Sequence, residues 1–296
     1  WNANNFLIQN KCNLKNSNKI PKLKVNINKW IYFELLETSK LIKRNIKDYR
    51  FDEAAKNAYH FAWHKYCDWY LELSKTILFS NNAKAQKEVK EVSTFVFRQI
   101  LIMLHPFIPF VTEKIWLTNK FDNNSKNFLM LSNWISEKSK KDNDHSHVQQ
   151  IINFISEIRS FKNELNVSPG SFIDISIDSI KKNNISFFKS NEIVIKKLGR
   201  INNFFTKDPN KPAASLLIFG DLFKIYFDEN VDLNLIKENL LKRQNKYQEE
   251  MDKISKRLNN KGFAQRAPKD IVQQEKTNYT NLKNDIKKIS ITIESL

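Results

Sequence analysis

Apolar residues recur at intervals of three and four through the first 135 positions of the chain, which is the spacing of amphipathic helices. The pattern predicts helices at about 28–48, 51–77, 85–104 and 109–116. Asn28 is expected to be the N-cap of the first of these. The third should stop at His105-Pro106, and Pro109 can open the fourth. Antiparallel helices joined by short connections predict a helix bundle.

The second of these helices carries most of the aromatic residues. Its predicted apolar face consists of Ala55, Tyr59, Ala62, Tyr66, Tyr70, Leu73 and Ile77, and Trp63 and Trp69 widen it. Such a stripe is either a stacking platform for unpaired bases or part of a core. We interpret it as core, because large aromatic side chains dominate buried area, although one or two edge aromatics could still reach a base.

The spacing changes after a polar, unpatterned linker at 136–148. A helix at 151–165 is followed by Ile173, Ile175 and Ile177, which alternate with polar residues as in a half-buried strand. A helix at about 185–198 and further strands at 201–206, 215–219 and 222–227 complete the segment. Gly220-Asp221 is a two-residue hairpin signal. We therefore predict a small α+β module with an antiparallel sheet.

The most regular pattern lies at residues 231–296. Two apolar seams with heptad spacing surround a turn that contains Gly262, and Gln244 and Glu275 each fill one seam position. Two helices of similar length around a glycine turn predict an antiparallel coiled-coil hairpin. The fold is therefore expected to be mainly α. It should comprise a helical domain at 1–135, a linker and small α+β module at 136–230, and a two-helix arm at 231–296.

Composition agrees with a helical chain and suggests a polyanionic partner. Only 4 of 296 residues are glycine, too few for an architecture of many tight turns. The formal net charge is +17, which favours nucleic acid, although abundant Lys, Asn and Ile also indicate A/T-rich codon bias. Cys12 and Cys67 form no CxxC pair, which excludes a Cys-rich zinc site and suits a reducing cytosol. No apolar run is long enough to span a membrane, and the chain begins at Trp1 inside a predicted helix, as a piece of a longer protein would.

Catalytic signatures are absent from the sequence. We find no GxxxxGK[ST], GxGxxG, GxSxG or CxxC motif. His60 and His64 lie one turn apart with Asp68 a turn further on, a spacing that can hold a metal. A zincin would need glutamate after the first histidine, where Phe61 stands, so we interpret the set as a polar helix flank. We therefore predict no catalytic, cofactor or metal site.

The candidate binding residues are mostly basic side chains near the predicted turn of the arm. They are Lys253, Lys256, Arg257, Lys261, Arg266 and Lys269, together with Phe263 in the turn itself. Cations outside a coiled-coil seam are often merely solvated, but their excess at this end is also suited to phosphate contact. In the bundle, Arg98 and Lys114 are further candidates, because they are positive charges within or close to the segment Leu104–Trp116.

Several segments resemble valyl-tRNA synthetases in order along the whole chain. Phe51–Ala55 and Cys67–Lys75 resemble the anticodon-binding helix of that family, and Leu104–Trp116 resembles its next segment. Trp1-Asn2-Ala3 resembles the exit from the catalytic core, and Leu258–Glu275, with its Gly-Phe and Ala-Pro pairs, resembles the turn of the C-terminal arm. The Leu-His-Pro-Phe segment also occurs in leucyl and isoleucyl enzymes. The Cys-Asp-Trp-Tyr-Leu-Glu segment, combined with the C-terminal arm, resembles the valyl enzymes rather than the leucyl or isoleucyl ones.

The resemblance implies a bundle that grips the anticodon stem-loop of tRNA(Val) and an arm that lies against the outer corner of the tRNA. It implies a cytoplasmic parent enzyme that uses ATP with Mg to attach valine to its tRNA. The HIGH and KMSKS signatures of that chemistry are absent here, so we expect no catalysis from this chain, which should bind tRNA(Val) as a monomer.

Three other interpretations of the sequence stay open. The chain could be a non-catalytic helical module that docks a protein partner, although few hydrophobic residues lie outside the arm seam beyond Leu241 and Phe263. It could also be the equivalent region of an isoleucyl- or leucyl-tRNA synthetase. A complete enzyme is the third possibility, and the missing nucleotide and metal motifs argue against it.

Overall fold

A computed structural model describes residues 1–13, 22–121, 128–135, 146–177, 180, 182–209, 211–228, 231–260 and 268–296. The structure is 71% helical with a small four-stranded sheet, which confirms the mainly α prediction. It forms two compact units, at residues 1–152 and 153–296. Within the described residues no helix has the length and apolar character needed to cross a membrane.

The first unit is a helix bundle. Its helices are α1 (Asn2–Gln9), α2 (Asn26–Lys47), α3 (Phe51–His60), a π-helical segment (Phe61–Leu71), α4 (Glu72–Leu78), α5 (Ala83–Leu104) and α6 (Pro109–Asn119). A 3-10 turn follows at Leu129–Leu131. The predicted helices of this part are confirmed, and Asn82 caps α5 by accepting from the Ala85 N–H at 3.1 Å. The second half of α5 is buried on nearly all sides, so this helix forms the centre of the bundle.

Asn28 is not an N-cap, so that prediction was wrong. The helix begins at Asn26, and Asn28 is fully buried in its first turn. Its side-chain oxygen accepts from the Tyr70 hydroxyl at 2.7 Å, and its amide donates to Glu88 at 3.0 Å. Glu88, on α5, also accepts from the backbone N–H groups of Lys24 and Val25 at 2.8 Å. A carboxylate from another helix therefore caps α2, as the positive end of the helix dipole favours.

The π-helical segment corrects the predicted apolar face of the second helix. Ala54, Ala58 and Phe61 are buried, one position away from the predicted Ala55, Tyr59 and Ala62. Beyond this point the prediction is confirmed for three positions, which are Tyr66, Tyr70 and Leu73. Hydrogen bonds from i to i+5 widen each turn, so one α-helical period cannot describe both halves.

The second unit contains an α+β module with a mixed sheet. α7 (Ser146–Glu164) begins in the first unit and ends in the second, and is followed by β1 (Ile173–Ser176), α8 (Lys182–Ser190), α9 (Glu192–Gly199), β2 (Ile201–Phe205), β3 (Ala214–Ile218) and β4 (Asp221–Phe227). The strand order is β2-β1-β4-β3. β1 pairs with β2 in parallel, so the predicted antiparallel sheet was wrong for this pair. Two helices between the strands supply the crossover that parallel pairing needs.

The β3–β4 hairpin is present, but its turn lies one residue earlier than predicted. Phe219 and Gly220 both have positive φ, at 55° and 78°, and Asp221 already belongs to β4. Positive φ at both central residues is typical of a type I′ turn, which matches the twist of a hairpin. Glycine adopts this conformation readily, whereas Phe219 is strained.

The arm consists of α10 (Leu233–Asn259) and α11 (Lys269–Ser295), which pack together as predicted. Gln244, near the middle of α10, donates to Ser290 at 2.7 Å, whereas Arg257, near the end of α10, lies 3.4 Å from Glu275, so the two helices are antiparallel. The end of α11 is joined to β3. There the Thr292 hydroxyl donates to the Ser215 carbonyl at 3.1 Å, and the Ala213 N–H donates to the Ser295 carbonyl at 3.2 Å.

Candidate nucleic-acid interface

Three of the predicted binding residues of the arm, Lys253, Lys256 and Arg257, lie at the end of α10 that is remote from the sheet. A helix of 27 residues is about 40 Å long, so this end extends well beyond the anchor on β3. Lys253, Lys256 and Arg257 are exposed there, and neither lysine has an ion-pair partner among the described residues. Arg257 forms an ion pair with Glu275 of α11, with 3.4 Å between the nitrogen and the oxygen. Two unpaired lysines and a weakly held arginine can meet phosphates with little loss of internal contacts.

The other arm candidates are described only in part. Lys261, Phe263 and Arg266 lie outside the described residues. Lys269 begins α11, but its side chain also lies outside them. Lys256 and Arg257 lie in the last turn of α10, where their positive charges also stabilise the negative end of the helix dipole. These two residues therefore contribute to the stability of the helix as well.

The two bundle candidates have different environments. Lys114 is exposed on α6, on the same face as Phe110, which is 90% exposed. Arg98 is 9% exposed on the buried half of α5, and its guanidinium carbon lies 4.8 Å from the centroid of the Trp116 ring. Burial against Trp116 makes Arg98 a core residue, whereas the exposed Lys114 is free of the core and can contact a phosphate. Charge close to a family segment does not reveal which face of the helix a residue occupies.

The aromatic stripe divides into a buried part and an exposed part. Tyr66 and Tyr70 are fully buried with their rings stacked at 5.6 Å, and the Tyr66 hydroxyl donates to the Ser93 carbonyl at 2.9 Å. Tyr59 and Trp63 are each 55% exposed, and their rings are nearly parallel, at 12° and 6.1 Å between centroids. The sequence pattern placed this pair in the core, because it could not show the change of helical period.

The histidines beside this exposed pair form no metal centre in the structure. The His60 and His64 rings are 5.0 Å apart, and His64 Nδ1 lies 3.1 Å from an oxygen of Asp68. In the part of the chain that the structure describes, no group of three or more potential ligands is arranged to hold a metal ion. Burial, with His64 and Lys65 close by, lowers the pKa of His60, so this imidazole is mainly uncharged at neutral pH.

Lys162 is a buried cation in the second unit, and it binds backbone carbonyls of the fold. Lys162 of α7 is 2% exposed, and its ammonium donates to the Ser171 carbonyl at 2.7 Å and to the Gly199 carbonyl at 3.4 Å. Arg159 donates to the Leu198 carbonyl at 3.0 Å. Both cations therefore bind carbonyls at the end of α9, which is the negative end of its dipole. Burial, together with Arg200 and Arg159, lowers the pKa of Lys162 to about 8.

Comparison with known proteins separates the chain into two matched regions. Residues 28–177 match the family described as the anticodon-binding domain of tRNA ligase. Residues 232–296 match the valyl tRNA synthetase tRNA binding arm, and they cover α10 and α11. The first match covers half of the chain and includes nearly all of α2, the rest of the bundle after it, α7 and β1, whereas α1 lies outside it.

Curated relatives match along the whole chain. The valine–tRNA ligase of Pelagibacter ubique is 67% identical over 296 residues, which are 34% of its own length. Those of Brucella suis and Borrelia garinii are 30% and 33% identical, and the chain covers 32% and 34% of them. The chain thus spans about a third of the length of the relatives it matches. It belongs to the tRNA ligase family, with an anticodon-binding domain at residues 28–177 and the tRNA-binding arm of valyl-tRNA synthetases at 232–296.

Proposed function

We propose that this chain is the tRNA-binding part of a valine–tRNA ligase and that its partner is tRNA(Val). The bundle would hold the anticodon stem-loop, and the arm would lie against the outer corner of the tRNA. The observation that carries this proposal is the presence of both tRNA-binding regions in one chain. The exposed cations at the remote end of the arm support it, because they are placed where a phosphate backbone can meet them.

We propose a functional division into residues 1–135, 136–230 and 231–296. The first and last segments would contact RNA, and the middle segment would set the direction of the arm. Hydrogen bonds between the end of α11 and β3 support this role, since they attach one end of the arm, which is about 40 Å long, to the sheet. A small change at the base would move the cations at the remote end by several ångströms.

Catalysis is assigned to the part of the ligase outside this chain. There, ATP with Mg would activate valine, and the present residues would contribute affinity and orientation rather than a reacting group. In this proposal the chain works in the cytoplasm and binds tRNA as a monomer. Aminoacylation of tRNA(Val) by the isolated chain would contradict the assignment.

Hydroxyl-radical footprinting of tRNA(Val) tests the two-site arrangement. We expect protection of the anticodon stem-loop and, separately, of the outer corner. Deleting residues 233–296 should remove only the second protection, provided that circular dichroism shows the bundle still folded. Protection confined to one region would leave the other domain without its proposed role. If the chain instead captured a stoichiometric protein and no RNA, the alternative of a protein-docking module would be favoured.

A further inference from the structure

We propose that Tyr59 and Trp63 form a stacking site for one unpaired nucleobase of the bound tRNA. The inference rests on the proposed function and adds a specific subsite to it. The pair lies where α3 passes into the π-helical segment, within the matched anticodon-binding region. The two rings are more than half exposed and already nearly parallel to each other.

The exposure of this pair follows from the change of helical period. An unbroken α-helical period would place Tyr59 on the same face as the buried Tyr66, where its ring would be removed from water. The π-helical turns interrupt that period and leave Tyr59 and Trp63 in solvent. Such turns are rare in helices and are frequent at functional sites, which indicates that the exposed pair serves a ligand.

The geometry suits a flat aromatic ligand. The two rings are within 12° of parallel with their centroids 6.1 Å apart, and each side chain is 55% exposed, so a flat base has accessible aromatic surface on which to stack. The His64 ring meets Tyr59 edge-on, at 87° and 6.2 Å, and holds that side of the pair. A site that is ordered before binding loses little conformational entropy when the base arrives.

The surroundings favour a nucleotide over an apolar protein segment. Lys56 is exposed one turn before Tyr59, and His60 and His64 are exposed beside the rings. These groups offer a cation and ring N–H donors to a phosphate or sugar, whereas a hydrophobic partner would have to desolvate them. Base stacking tolerates any base, so the site would add affinity rather than anticodon specificity.

The test is a double-mutant cycle between the protein and the tRNA. Trp63→Ala should weaken tRNA(Val) binding by about 5- to 150-fold, the range for loss of one stacked base. The slope of affinity against salt should stay unchanged, because stacking releases no counterions. Abasic substitutions at single unpaired positions of the tRNA should include one that weakens the wild-type protein but not Trp63→Ala.

Two further variants keep the result interpretable. Trp63→Phe retains an aromatic face and should recover most of the affinity. Phe79→Ala removes an aromatic that is 74% exposed elsewhere in the same unit, and it should bind like the wild type. Circular dichroism and thermal unfolding check that each variant is folded.

Equal affinity of Trp63→Ala and the wild type would overturn this inference while leaving the proposed function intact. An equal loss at every abasic position would also overturn it, since no base would then depend on the pair. A wild-type chain that binds no tRNA would instead contradict the proposed function itself.

Discussion

Replacing three cations at the remote end of α10 with glutamine should make tRNA binding less sensitive to salt. The variant is Lys253→Gln/Lys256→Gln/Arg257→Gln. Each phosphate contact adds about 0.9 to the slope of log affinity against log salt. The two lysines have no described ion-pair partner and should contribute about 1.8 in total. Arg257 forms an ion pair with Glu275, so its phosphate contact is weaker, and it raises the expected change in slope to at most about 2.7.

The assay is fluorescence anisotropy of labelled tRNA(Val) between about 50 and 200 mM salt. Over this fourfold range the wild type should lose about 10- to 40-fold more affinity than the variant does. A second variant, Lys237→Gln/Lys242→Gln/Lys287→Gln, removes the same charge from exposed positions near the anchored end of the arm. It should keep the wild-type slope. An equal reduction of the slope in both variants would show that the arm attracts RNA by net charge alone. A wild-type slope in the first variant would show that its three cations are solvated and contact no phosphate.

Three further predictions concern the stability of the fold. Leu282→Asp places a charge in the arm seam and should abolish the helical circular dichroism of the arm while the bundle still unfolds cooperatively; unchanged helicity would contradict the packed seam. Asn28→Ala should lower the free energy of unfolding by about 1–3 kcal/mol in urea titration, because Tyr70 and Glu88 each lose a buried partner. The pKa of Lys162 is lowered to about 8 from 10.5, so the unfolded chain binds more protons between these values and stability should rise with pH there. Between pH 7 and 10.5, the free energy of unfolding of the wild type relative to that of Lys162→Met should rise by up to about 3 kcal/mol, as measured by urea titration. If the difference between the two proteins stays constant over this range, deprotonation of the buried Lys162 does not change the stability.

The helices and the arm seam could be predicted from the sequence because each depends on spacing within one segment. The buried positions of α5 follow its apolar spacing, and Ile254 and Ile289 lie in the seam where heptad spacing placed them. The end of α5 at His105-Pro106 follows from the geometry before proline. Local rules of this kind need no knowledge of the tertiary structure.

The features that could not be predicted depend on partners distant in sequence. Asn28 has the residue type of an N-cap, but Glu88, sixty residues away, caps the helix and leaves Asn28 to the core. Parallel pairing of β1 with β2 depends on how α8 and α9 cross the sheet, which strand periodicity does not encode.

The candidate site was predictable only in outline. Exposure of Lys253 and Lys256 follows from their positions outside the seam. Burial of Arg98 against Trp116 does not follow from its charge, and exposure of Tyr59 and Trp63 depends on a change of helical period that residue spacing cannot reveal. Functional surfaces depend on where such irregularities fall, so they are harder to predict than the scaffold that carries them.

Parallel salt titrations of this chain with tRNA(Val) and with an unrelated tRNA show directly whether it recognises the bases of tRNA(Val). Phosphate contacts are common to both RNAs, and base contacts belong to one of them. We expect both affinities to fall with salt while a preference for tRNA(Val) persists at moderate salt. Equal binding of the two tRNAs at every salt concentration would contradict it.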